Sequence, residues 1–254
     1  MVNKYLSYVT DEHFIQCIEN LHKSYLKAKA NVSKKKFYSN KIDIVKLTFD
    51  ASFNELDEMT LIKTEINRQI DKSINNSIGT FHEQILGGIR GFEIGNFSGF
   101  DIKASDNTLF ADIKNKHNTM NSSSAESLFQ KLATYADTHK QAQCYWVQVL
   151  AKHSFNEKWF GEINGKEYSH SRVNKISGDQ FYKLLSGKDD ALFELYKVLP
   201  IAISDYLNSI KSGTSENNSA LEEIQSSSKI SNRSILDEIT FENYSYYLGF
   251  DKLE

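Results

Sequence analysis

The sequence predicts a mixed α/β protein, a central β-sheet flanked by helices with a helical segment ahead of it. Three observations carry that reading. Apolar residues recur at helical spacing through the first eighty positions. The period changes to strict alternation from Gly99 onward. A strand, a helix and a nearly continuous apolar run then follow in that order between about residues 109 and 151, the pattern of a right-handed parallel crossover.

Phe14, Ile18, Leu21 and Tyr25 after Thr10 predict a first helix, and Leu56, Met59, Ile62, Ile66, Ile70 and Ile74 predict a second. Ser52 and Glu55 stand as a capping box for the second, in which each side chain satisfies an orphan backbone N–H of the first turn. Thr80 and Glu83 repeat that spacing and predict a third helix, which Gly87, Gly88 and Gly91 end. Phe100, Ile102 and Ala104 alternate with Asp101, Lys103 and Ser105, and after a polar turn Leu109, Ala111 and Ile113 alternate with Phe110, Asp112 and Lys114. This is a β-hairpin. Ser123 and Glu126 are placed to cap a helix whose apolar face is Ala125, Leu128, Phe129, Leu132 and Ala136, and Cys144 to Ala151 read as a buried strand. Trp159, Phe160, Asn164, Gly165 and Tyr168 predict a second hairpin. Two helices follow, one ending near Gly187 and one from about Asp189 to Ile210, which Pro200 should kink or interrupt.

The expected organisation is therefore a lysine-rich helical segment over residues 1–79 packed on the core, the core itself over residues 80–211, a polar linker or loop over residues 212–234, and a docked C-terminal segment over residues 235–254. The last contains Phe241, Tyr244, Tyr246, Tyr247, Leu248 and Phe250.

Composition narrows the function classes. With 254 residues, 40% of them hydrophobic, one proline and a net charge of −3, the chain is neither disordered nor a repeat array. It has no apolar run long enough to cross a bilayer and no apolar leader, since Asp11 and Glu12 already interrupt the start. A cytoplasmic protein with no membrane contact is expected. Cys17 and Cys144 sit among apolar neighbours, far apart, and read as small buried hydrophobes rather than a metal pair or disulfide. From Lys23 to Lys46 eight lysines stand against one acid, Asp43, a local charge of +7 in a chain of net −3. Such a face is either a solvated surface or an attractor of polyanions.

The first hairpin can be read by register. With Asp106 and Asn107 as a two-residue turn, Ile102 pairs with Ala111, Lys103 with Phe110, and Asp101 with Asp112. Directly opposed side chains share a face about 5 Å apart, so two carboxylates there would repel unless a cation lay between them. Lys114, two residues beyond Asp112, is on that same face. A hard divalent ion such as Mg²⁺ is the other neutraliser. The bland alternative is an ordinary surface ion pair.

These residues carry a resemblance. Asp101, followed on the next strand by Asp112-Ile113-Lys114 and then by Asn115-Lys116-His117-Asn118-Thr119, is similar to the core of the PD-(D/E)XK nucleases. More narrowly, Phe81-His82-Glu83-Gln84-Ile85, Gly99-Phe100-Asp101-Ile102-Lys103 and Ala111-Asp112-Ile113-Lys114 with that continuation resemble type II restriction endonucleases of the GGNCC-cutting family, over about residues 5–210. Two departures stand out. Phe100 takes the place of the proline in the superfamily's name, and Asp112 replaces the commoner Glu.

The resemblance implies a restriction-endonuclease-like fold and a site-specific, Mg²⁺-dependent endonuclease acting on double-stranded DNA. It further implies a homodimer, if the target is palindromic, and a cognate DNA methyltransferase as functional partner without direct contact. Asp101, Asp112 and the main-chain carbonyl of Ile113 would hold the metal, and Lys114 would orient or help deprotonate the attacking water. Glu83 is either a further acid near the metal or the capping-box Glu. His117 is either functional or structural; Asn118, Thr119 and Asn121 either touch phosphate or cap the next helix. Lys34, Lys35, Lys36, Lys116, Asn118, Arg172 and Lys175 are the candidate DNA contacts, with Arg172 suited to reading guanine. His170 lies in the same polar stretch as Arg172. Two other readings compete: a structure-specific or repair nuclease on the same core, and a non-catalytic DNA-binding protein.

Overall fold

The computed structural model describes residues 3–30, 32–95, 99–118, 120–210 and 220–244. These form two compact units, one of Met1–Leu21 with Ser77–Ser212 and the other of His22–Asn76 with Gly213–Glu254.

The first unit is built on a six-stranded mixed sheet. Its strands are β1 (Phe92–Ile94), β2 (Ile102–Ala104), β3 (Leu109–Lys116), β4 (Gln143–Leu150), β5 (Asn156–Ile163) and β6 (Lys166–Ser177), in the order β1-β2-β3-β4-β6-β5. The pairs β1–β2, β2–β3 and β5–β6 are antiparallel, whereas β3–β4 and β4–β6 are parallel. The expected pairing of Ile102 with Ala111 and Lys103 with Phe110 is observed, but the paired residues stop short of Asp101 and Asp112, and the connection is the four residues 105–108, closed by the Asn107 N–H on the Ala104 carbonyl, rather than a two-residue turn. The second hairpin turns at Asn164 and Gly165, both with positive φ (53° and 75°), the backbone twist that a two-residue turn between right-twisted strands requires.

Period-two alternation gives this sheet two buried faces. On one, Ile102, Ala111, Ile113, Tyr145, Val147, Val149 and Ile176 pack with the helices α1 (Asp11–Ala30, through Phe14, Cys17 and Ile18), α4 (Glu58–Gly87, through Phe81, Ile85 and Leu86), α6 (Gly178–Ser186, through Phe181 and Tyr182) and α7 (Ala191–Ser209, through Leu195 and Ala202). On the other, Phe110, Cys144 and Val173 meet Leu128, Phe129, Leu132 and Ala136 of α5 (Ser122–Thr138), with Trp159 alongside. Burying each of the larger α5 side chains contributes about 2 kcal/mol. The crossover β3–α5–β4 is the parallel one expected. Both cysteines are free and buried, and burial pushes each thiol up to about 12.

The second unit is helical. The short α2 (Lys34–Ser39), α3 (Ile44–Phe53), α8 (Ala220–Ser231) and α9 (Ile235–Tyr244) join the earlier part of α4 around a core of Val32, Phe37, Ile42, Leu47, Leu61, Ile62, Ile66, Ala220, Ile224, Ile235 and Ile239.

Several sequence expectations are corrected. The second and third helices are one, because the stretch between Ile74 and Thr80 holds no breaker stronger than Gly79, and a single glycine lowers helix stability by about 1 kcal/mol without ending it. Ser52 lies inside α3, and α4 is capped by Asp57, whose carboxylate accepts from the N–H of Thr60 at 2.9 Å. The cap of α5 is Asn121, whose side chain accepts from the N–H of Ser124 at 2.8 Å, rather than Ser123. Helix α7 runs through Pro200, which is exposed, so the proline does not interrupt it. Residues 212–234 are not all polar loop, since α8 buries Ala220 and Ile224 in the helical core. Residues 1–21 fold with the sheet rather than with the rest of the first seventy-nine. The C-terminal segment docks through Ile235 and Ile239, while Tyr246, Tyr247, Leu248 and Phe250 lie outside the described residues. Among the described residues no helix is long and apolar enough to cross a membrane.

Candidate active site

The site lies where β2 begins and β3 runs toward its C-terminal end. The backbone N–H of Asp101 donates to the carbonyl of Ala111 at 3.0 Å, one residue out of the Ile102–Ala111 register, so the ladder is irregular where Asp101 precedes β2. The N–H of Ile113 donates to Asp101 Oδ2 at 2.6 Å, so the carboxylate is fixed by the backbone of the strand it faces. Asp112 is 8% exposed. Lys114 Nζ lies 2.5 Å from Asp112 Oδ1, and Lys131 Nζ, from α5, lies 3.3 Å from Asp112 Oδ2. The first contact is ionic but off the line of a hydrogen bond, because the buried Oδ1 has no hydrogen-bond partner. Lys131 also donates to the carbonyl of Gly99 and lies 4.1 Å from the centre of the Phe100 ring.

Glu83 joins this cluster from α4. Burial, then the charges of Asp101 and Asp112, push its carboxyl up to about 7 against the opposing pull of Lys114. Asp101 is raised too, by burial first and by Asp112, in opposition to the Ile113 N–H and the two lysines. The capping alternative for Glu83 is removed by the continuous α4: Thr80 is inside the helix, where no orphan N–H needs a cap. The neighbouring His82 is buried, bonded through Nδ1 to the Tyr182 hydroxyl at 2.8 Å, and held neutral as burial lowers it to about 4.

Asp112 and the two ammonium groups thus share one pocket, and Asp101 and Glu83 are coupled to them electrostatically. Asp112, Lys114, Met120, Ser123, Ser124, Ser127, Leu128 and Lys131 line its cavity of ≈ 550 Å³. The donors fit a hard cation: two carboxylates from adjacent strands, one with a buried, unbonded oxygen, beside a main-chain carbonyl at Ile113. Among the described residues no three His, Cys, Asp or Glu side chains form a dedicated metal cage.

The other expected residues are scattered. Lys34 Nζ is 2.6 Å from Glu242, 3.5 Å from Glu238 and 2.6 Å from Ser227 Oγ, so its charge is spent inside the helical unit. Lys35 is exposed and Lys36 half-buried. Arg172 donates to the carbonyls of Lys140 (2.6 Å) and Ala136 at the end of α5, and lies 3.7 Å from Asp137. Its guanidinium holds a helix terminus, which corrects the expectation of a base-reading arm. Lys175 pairs at 3.1 Å with Glu157, the residue opposite it on β5. His170 lies 3.1 Å from Asp137. His117 is tied to the carbonyl of Leu150 through its N–H (3.2 Å) and Nδ1 (3.3 Å), which favours the structural reading. Lys116 and Asn118 are exposed, and Thr119 lies outside the described residues.

Sequence reasoning did not single out Lys131. It lies nineteen residues beyond Asp112 on a helix, and only its (i, i+4) relation to Ser127 and its place on the sheet-facing side of α5 hinted at a role.

A mixed sheet that presents two carboxylates and a lysine from one hairpin has the makings of a nuclease core. The comparisons narrow this. The profile of the Eco47II restriction endonuclease family matches residues 6–208. The chain is 40% identical over 263 aligned positions to the type II restriction enzyme Sau96I of Staphylococcus aureus, covering 98% of this chain and all of that protein. It is 29% identical over 214 positions to the type II restriction enzyme Eco47II of Escherichia coli, with 80% of this chain and 88% of that one covered. The chain belongs to the Eco47II restriction endonuclease family and is a type II site-specific deoxyribonuclease.

Proposed function

We propose that the enzyme hydrolyses phosphodiester bonds of double-stranded DNA at a GGNCC-type target, with Mg²⁺ held by Asp101, Asp112 and the carbonyl of Ile113. The observation that carries this reading is the cluster of Asp101, Asp112 and Lys114 at one end of the hairpin, coupled electrostatically to Glu83, with Asp112 Oδ1 buried against the Lys114 ammonium but outside any hydrogen bond. The target class follows from the sequence resemblance.

When bound, the ion would supply Lewis-acid stabilisation of the charge that grows on the phosphoryl oxygens. The chain's own groups do the rest. The N–H of Ile113, next to Asp112 in the chain, fixes the Asp101 carboxylate against β3. Lys114 is close enough to the cluster to orient an attacking water and to ease its deprotonation. Glu83, held partly protonated near neutral pH by burial, would accept or release a proton beside Asp101 and Lys114. Lys35, Lys36, Lys116 and Asn118 are the proposed phosphate contacts, since they are exposed or half-exposed. A palindromic target would be met by a homodimer, with a cognate methyltransferase protecting the host sequence.

Digestion of an unmodified plasmid tests this directly. Discrete fragments in Mg²⁺, and none in excess EDTA, are expected. A smear would favour a non-specific or structure-directed nuclease, and cleavage that survives EDTA would overturn the metal assignment.

A further inference from the structure

Lys131 has no place in the catalytic scheme above, yet it reaches into the centre of the site. Its ammonium is held by three groups at once: Asp112 Oδ2 at 3.3 Å, the carbonyl of Gly99, and the face of the Phe100 ring at 4.1 Å. An acidic carboxylate, a main-chain carbonyl oxygen and an aromatic face are all ligands for a cation. With Lys114 on the other oxygen, Asp112 is fully neutralised by lysines in the protein alone. A divalent ion that needs Asp112 must therefore displace one of them.

The position of Lys131 on α5 says where it would go. Ser127 precedes it by four residues and Ser124 by seven, so all three lie along one side of the helix, and with Ser123 they form the wall of the cavity facing Asp112. An ammonium beside a row of hydroxyls suits a phosphate oxygen.

We propose that Lys131 is a stand-in cation: it occupies Asp112 until the divalent ion binds, and exchanges that carboxylate for a DNA phosphate at the serine-lined wall. This rests on the reading of Asp101 and Asp112 as the metal-holding pair. Lys131 is thus a positioning residue that couples the metal to DNA. Without DNA, metal binding must evict an ammonium that has nowhere better to go. With DNA the phosphate receives it, so each ligand tightens the other by the same factor.

The test is calorimetric titration of Ca²⁺ into the full chain, with and without duplex DNA carrying the target. Wild type, Lys131→Met, Lys131→Gln and Asp112→Asn are compared. Loss of the competing ammonium should tighten Ca²⁺ by roughly tenfold in both Lys131 variants without DNA. The further gain on adding DNA should be smaller in those variants than in wild type. A mere structural brace would act in the opposite direction, since its removal loosens the site. Equal or weaker Ca²⁺ binding by both Lys131 variants, when Asp112→Asn has lost it, overturns the proposal alone. Wild-type Ca²⁺ affinity in Asp112→Asn overturns the metal reading and this proposal with it.

Discussion

At the scale of single residues, two acid-x-lysine runs lie in the same hairpin, and geometry separates them. Lys103 Nζ pairs at 2.8 Å with Glu93 on β1, whereas Lys114 Nζ faces Asp112 inside the cavity. Lys114→Ala should abolish most cleavage while leaving specific DNA affinity largely intact, and Lys103→Ala should cut nearly as wild type. Parallel gel-shift and single-turnover assays read both quantities; a dead Lys103→Ala beside a normal Lys114→Ala would move the chemistry to Asp101-Ile102-Lys103. Glu83 gives a prediction in pH. Its folded-state pKa is raised above the ordinary carboxylate value to about 7 by burial and by Asp101 and Asp112. A raised carboxyl contributes stability that is complete below the unfolded value of 4.5 and is lost as pH rises through about 7. In the metal-free protein Glu83→Gln should therefore melt higher than wild type at pH 8, by about 1 kcal/mol once solvent screening is allowed for, and the gap should close toward pH 5. Equal melting temperatures across that range would mean that the cluster does not crowd Glu83.

At the scale of elements, what the sequence made legible was whatever repeats locally. The hairpin that carries Asp101 and Asp112 could be registered because its side chains alternate, so a one-residue slip would have turned Ile102 and Ala111 out of the core. The long-range partners were not legible. The coupling of Lys131 to Asp112 crosses from α5 to β3, and Arg172 turns back to the carbonyls of Ala136 in the last turn of α5 and of Lys140 just beyond it. Both depend on contacts more than a dozen residues apart, which no period encodes. The start of α6 is a further case. Gly178 follows β6 directly, and a Cβ there would stand 2.5 Å from the carbonyl oxygen and 2.9 Å from the Cα of Val149 on β4. The obstruction is backbone, which cannot rotate aside. Gly178→Ala should push α6 off the sheet and cost about 2–3 kcal/mol, measured by urea denaturation; a loss under 0.5 kcal/mol would show that α6 tolerates a shift at its first turn.

At the scale of the whole molecule, the uneven charge noted in the sequence resolves into two kinds of lysine. The chain is mildly acidic, yet Lys23 to Lys46 carries a local excess of positive charge in a segment that folds mostly within the helical unit. Lys34 is committed to that unit. Its ammonium lies among Glu242, Glu238 and Ser227, and Glu238 is 4% exposed, so removing the lysine leaves a buried carboxylate with Arg233 at 3.5 Å as its remaining cationic support among the described residues. Lys35 and Lys36 belong to a helix of six residues, Lys35 exposed and Lys36 half-buried. The two kinds should respond differently to mutation. Lys34→Gln should lower stability by about 1–2 kcal/mol and leave the salt dependence of DNA binding little changed. Lys35→Gln with Lys36→Gln should leave stability within about 0.5 kcal/mol, because nothing buried depends on them. If both contact phosphates, each releases condensed counterions, and the double variant should flatten the slope of log K against log salt by up to roughly two units. Cognate and random duplexes should weaken alike, because phosphate contacts position the protein without reading bases. Filter binding across a salt series measures this. An unchanged slope in the double variant would make the lysine-rich segment a solvated surface, and would leave the exposed end of β3 at Lys116 and Asn118 as the remaining proposed path for the DNA backbone.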